Sequence, residues 1–98
     1  MEASEQLAGL LELAERLGLE VRQVPLGGEG GGVCRLRGKG ILFVDTAAPL
    51  AEQVARTAAA LAGWGGGQEV YMVPEIRELL ERAEVFQELR TVLVLRGM

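Results

Sequence analysis

Positions 27–32 limit the fold more than any other stretch of the chain, because Gly27, Gly28, Gly30, Gly31 and Gly32 surround a single Glu29. Each glycine loses more backbone entropy on ordering than any other residue, so regular structure is not held cheaply there. The segment reads as a flexible loop, and everything on either side of it must fold as short elements. With 98 residues in total, the length fits one domain over residues 1–98 that buries about two thirds of its unfolded surface.

The elements follow from periodicity. Leu7, Leu10, Leu11, Ala14 and Leu17 repeat at helical spacing over residues 4–17, with Ser4 as the N-cap and Gly18 as the stop. Leu19, Val21 and Val24 alternate with polar neighbours up to Pro25 and predict a first strand. Residues 33–37 and 41–45 flank Gly38, Lys39 and Gly40, whose glycines suit a tight hairpin between a second and a third strand. Asp45 and Thr46 are positioned to cap a second helix that has Pro49 in its first turn and Leu50, Val54, Ala58 and Leu61 on its buried stripe. That helix stops at Gly63, residues 69–73 read as a short extended piece, and Pro74 opens a third helix carrying Ile76, Leu79, Leu80 and Ala83. Val92, Leu93, Val94 and Leu95, rich in β-branched residues, predict a last strand over residues 91–95.

The expected architecture is therefore α+β: a small, mostly antiparallel sheet of three to four strands packed by three helices, in the order helix-strand-strand-strand-helix-helix-strand. An uninterrupted apolar tail could also dock on a second copy of the chain.

Composition argues chiefly by exclusion. The chain has no His, one Cys, one Asp and one Lys, so the convergent donors of a zinc site are missing and no metal or other cofactor is expected. A net charge of -4 lacks the basic footprint of a nucleic-acid binder. The N-terminus shows neither the basic start nor the apolar run of a secretory signal, and the longest uncharged stretch, residues 57–68, contains four glycines and is too short to span a bilayer. A cytoplasmic protein is expected. The absence of Asn and the nine Arg beside one Lys fit a thermophile or a GC-rich genome.

Few residues offer chemistry. The glycine segment fails the P-loop pattern, because Val33 opens a strand where a Lys, a Ser or Thr and a helix would have to follow. An anionic ligand could still be held by Gly28, Gly30, Gly31, Arg35, Arg37 and Asp45. Cys34 has no histidine partner and reads as a small buried residue, with Arg35 on the opposite face of its strand. Trp64 and Tyr71 flank the second glycine cluster and read first as core fillers, although a Trp among glycines also suits a contact surface. Glu75, Arg77, Glu78, Glu81 and Arg82 form a solvated ion-paired helix face.

From Leu7 to Trp64 the order of an amphipathic helix ending in Leu17, Gly18 and Leu19, then a strand, a glycine-bearing loop, a hairpin ending in Ile41, Leu42, Phe43, Val44 and Asp45, and a further helix resembles the N-terminal part of the ImmA/IrrE-type zincin-like metallopeptidases. In that family this last helix carries a pattern close to Thr-x-Ala-His-Glu-x-Gly-His. Here Thr57, Ala59 and Gly63 match its Thr, Ala and Gly, while Ala60 and Trp64 stand at the zinc-binding histidines and Leu61 at the general base. The resemblance implies a catalytically dead version of the fold, with no peptidase activity. The chain is also similar to many short bacterial proteins for which kinship implies no activity. Two functions are expected from these readings. The first is a non-catalytic interaction module, either a homo-oligomer such as a dimer with an interface around Trp64, Tyr71, Val92 and Val94, or a binder of another protein. The second is a small-molecule or anionic-ligand binder built on the glycine loop.

Overall fold

The computed structural model describes the backbone of residues 1–96, and side chains for residues 1–67 and 69–85. Helix α1 (Ala3–Arg16) is followed by strands β1 (Glu20–Val24), β2 (Gly32–Leu36) and β3 (Lys39–Asp45), then helix α2 (Leu50–Trp64), a single 3-10 turn (Gly67–Glu69) and helix α3 (Pro74–Arg96).

α1 buries Leu7, Leu10, Leu13 and Ala14; Leu13 lies outside the predicted stripe, and Leu11 and Leu17 are only partly buried against the core. It begins one position before Ser4, after Glu2 and with no side-chain cap. Its end is a paired backbone stop. The N–H of Leu19 donates to the carbonyl of Ala14 and that of Gly18 to Glu15, both at 3.0 Å. Gly18 takes the φ of 82° that this geometry requires and a side chain resists.

The sheet has the order β1-β3-β2. β2 and β3 form the expected antiparallel hairpin, whereas β1 lies parallel to β3 on the other side. A mixed sheet thus replaces the mostly antiparallel one, because the loop after β1 carries the chain over the end of β3 before β2 begins. The hairpin turn consists of Arg37 and Gly38, with φ of 52° and 79°, between the paired residues Leu36 and Lys39. Two successive positive φ angles give the type I′ geometry that matches strand twist. Gly40 serves differently from its expected place in the turn: a Cβ there would lie 2.7 Å from the Trp64 ring and 2.5 Å from Leu19.

Val21, Val33, Leu42 and Val44 project from one sheet face into a core shared with Leu10, Val54, Ala58, Leu61 and Ile76 from the three helices and with Met72 from the segment before α3. Pairing puts Cys34 opposite Ile41 on the other face, where Arg22 lies over the Phe43 ring at 5.9 Å and Glu20 bridges to Arg22 and Lys39. Cys34 is consequently exposed, contrary to the expectation of burial: its edge strand turns that residue away from the helices.

α2 starts after Pro49 without a side-chain cap, so neither Asp45 nor Thr46 has the capping role expected of it. Thr57 joins Val54, Ala58 and Leu61 on its buried face, while Leu50 is exposed. Residues 70–73 form no strand. The last strand predicted over residues 91–95 is replaced by helix, since α3 continues unbroken to Arg96. No Gly or Pro occurs between Pro74 and Gly97, and helix propagation past a formed nucleus outweighs the modest β-preference of four residues. No helix among the described residues is long and apolar enough to cross a membrane.

Candidate functional site

A strand that ends beneath a crossing loop forces that loop's backbone N–H groups out of water, and each then needs an acceptor. Asp45, the last residue of β3, is 2 % exposed, and its one carboxylate accepts from three N–H groups of the crossing loop and from one just after β3. Its Oδ1 accepts from the N–H of Leu26 at 2.7 Å and of Ala47 at 2.9 Å, and its Oδ2 from Gly28 at 2.7 Å and Gly30 at 2.9 Å. Only an ionised carboxylate offers acceptor sites on both oxygens at once. Burial pushes the Asp45 carboxyl up, but the four backbone donors outweigh it and hold the group below its ordinary value of 3.8.

The loop's carbonyls are met from the opposite side. Arg56 on α2 donates through one terminal nitrogen to the carbonyl of Gly28 at 2.9 Å and of Gly30 at 3.0 Å, while its other nitrogen pairs with Glu52 one turn earlier. A carboxylate thus takes the donors and a guanidinium the acceptors of the same two glycines. The loop expected to be flexible is clasped. Gly31 passes close above β3, where a Cβ would sit 3.4 Å from the Phe43 carbonyl oxygen.

Of the residues singled out for an anionic ligand, Gly28, Gly30, Gly31 and Asp45 are brought together and Arg35 and Arg37 are not. Arg35 pairs with Gly40, five positions along β3 from Asp45, which is about 17 Å at strand rise. Its guanidinium stacks 4.6 Å from the centre of the Trp64 ring, and Arg37 occupies the hairpin turn. Trp64 is half-buried against the core, whereas Tyr71, expected as a core filler, is 76 % exposed, and its backbone carbonyl accepts from Arg16 at 3.1 Å. Val92 and Val94 lie on the last turns of α3, beyond the residues whose side chains are described.

The three positions aligned with zincin chemistry all fall on α2. Leu61 is buried in the core, Ala60 packs against it, and the Trp64 ring lies between Gly40 and Arg35. Among the described residues no three of His, Cys, Asp and Glu are grouped to hold a metal ion.

Sequence reasoning missed Arg56, whose spacing from Glu52 looks like an ordinary ion pair on a helix surface. It also missed an apolar groove of about 450 Å³ between α2 and α3, lined by Ala55, Ala58, Ala59, Leu79 and Ala83 with Arg56 and Arg82 at its rim. Alanines on a helix read as filler, and only the placement of a neighbouring helix turns them into a groove.

Comparison of the chain with family models, with curated proteins and with solved structures finds no match in any of the three.

Proposed function

We propose that the protein is a non-catalytic interaction module that works through association, either with itself or with another protein. One observation carries this reading: the backbone donors of the glycine loop, the chain's best means of cradling an anion, converge on its own Asp45 carboxylate. An incoming phosphate or carboxylate would have to displace a buried, ionised group that already satisfies those amides. The ligand-binding alternative loses further support from the separation of Arg35 and Arg37 from the loop. The indole at Trp64 and the core leucine at Leu61, where the zincin resemblance would need a metal ligand and a base, support a fold kept for its surface rather than for hydrolysis.

The test is the native mass of the untagged protein by light scattering, both purified and in extract of its own cells. A species larger than the 10.5 kDa chain in either setting is the expected result. A monomer in both, together with a nucleotide or metabolite that raises the melting temperature, would replace this reading with the ligand-binding one.

A further inference from the structure

We propose that the free edge of β2 pairs with the same strand of a second copy of the chain, antiparallel about a two-fold axis at Cys34, so that two three-stranded sheets join into one. This inference rests on the interaction-module reading and names its partner and its surface.

The hairpin dictates which groups that edge presents. Leu36 and Lys39 flank a two-residue turn and exchange both of their backbone bonds, and such pairs recur at every second position of an antiparallel ladder. Leu36, Cys34 and Gly32 therefore turn their N–H and C=O groups towards β3, and Val33 and Arg35 turn theirs outward. β2 has no strand on that outer side, and among the described residues no other backbone group bonds to Val33 or Arg35. The edge also lacks the usual guards against pairing: it contains no Pro or Lys, and its one charge, Arg35, lies over the Trp64 ring.

The outward groups admit one full-length register. With Val33 opposite Arg35 of the other copy, the whole strand overlaps, both outward residues exchange bonds, and Cys34 faces its own symmetry mate. A register that sets Val33 on Val33 brings in Gly31, whose φ of 109° is not that of a strand. One that sets Arg35 on Arg35 opposes like charges and brings in Arg37 from the turn.

The side chains fit the same register. On the open face, exposed Leu36 lies level with Gly32 of the other copy, and the side chain missing there opens the way to Phe43, the ladder partner of Gly32. On the face that carries the helices, Val33 meets the aliphatic stem of the other copy's Arg35. β1 is the poorer edge. Laid on itself over its full length it sets Arg22 against Arg22, and laid on β2 of another copy it leaves a free edge at each end and extends without closing.

Charges placed on the two-fold axis test the arrangement. Cys34 is exposed, so Cys34→Lys and Cys34→Glu should leave the fold intact, which circular dichroism and melting temperature check. The parent is expected to sediment as a dimer. Each variant should be a monomer, because it opposes like charges across the axis, and an equimolar mixture of the two should be a dimer again. Cross-linking measures the register. A non-hydrogen-bonded antiparallel pair holds its Cα atoms about 4.5 Å apart, within the reach of a disulfide. Diamide takes up the electrons and protons that two thiols release on forming a disulfide. It should cross-link the parent through Cys34 at least about tenfold faster than it does Cys34→Ser/Leu36→Cys, whose exposed thiols belong to Cα atoms about 14 Å apart. A dimer that survives both charges, a mixture of folded variants that stays monomeric, or equal cross-linking of the two thiols would overturn the proposal and leave the interaction-module reading standing. A larger species seen only in cell extract would do the same and point to a different partner. A monomeric parent in every setting would remove both.

Discussion

The two ends of the sheet are held in opposite ways. At one end a glycine-rich loop is pinned by a buried carboxylate and a guanidinium, so a charge lies inside and its partners are all main chain. At the other end, around Arg35, Arg37 and Lys39, the charges lie outside, and the fit is steric: Trp64 and Leu19 pack against the bare backbone of Gly40. Glu20 there is held below its ordinary value of 4.5 by hydrogen bonds from Lys39 and then Arg22. Those partners are exposed and contribute little to stability. Glycine content therefore does not forecast mobility; what matters is whether the amides and carbonyls it bares find a fixed partner.

The largest effect is expected from Asp45. Asp45→Asn places an amide donor where one pair of backbone N–H groups needs an acceptor. It should lower the melting temperature by on the order of 10 °C, and Asp45→Ala by a similar amount. An Asn variant melting within about 2 °C of the parent would break the contrast between the two ends. The same group sets an acid response. Because its folded pKa lies below its ordinary value, its stabilising contribution is complete above about 4 and is lost as pH falls through the folded value. Melting curves in that window should slope with pH for the parent and be flatter for Asp45→Asn.

At the opposite end Gly40→Ala should cost about 1–3 kcal/mol through the clash with Trp64 and Leu19, read from urea midpoints. Arg56→Ala removes the two carbonyl bonds and should cost about 1–2 kcal/mol. Its clearer signature is faster hydrogen exchange confined to Gly28 and Gly30. Arg56→Lys, with a point charge in place of the guanidinium fork, should recover only part of it. The smallest change has the opposite sign. Arg37 has a positive φ of 52° that glycine adopts without strain, so Arg37→Gly should stabilise by up to about 0.5–1 kcal/mol.

Much of the fold is readable from the chain, because helical spacing, Gly18, the hairpin and Pro74 are local signals. The failures have identifiable causes. Residues 91–95 combine strand-type composition with an upstream helix that nothing interrupts, and continuity prevailed. Cys34 was placed by its usual habit, but which side of a three-stranded sheet carries the helices is a tertiary fact. At the candidate site, Gly28, Gly30, Gly31 and Asp45 could be picked out as chemically notable. That the carboxylate would meet the loop's own amides required knowing that β3 lies between β1 and β2. Arg56 left no signal of its own, being one of several arginines beside a glutamate on a helix.

The three Asp45 bonds to the loop join positions 15 to 19 residues apart, and this makes the carboxylate a judge of topology as well as a fastening. Were the chain to fold as a simple meander with β2 directly beside β1, the connecting loop would never cross the end of β3. Asp45 would then face either burial without donors or solvent without its loop. The alternative strand order is thus disfavoured by one side chain, and the loop amides should gain protection during refolding together with β3 rather than before it.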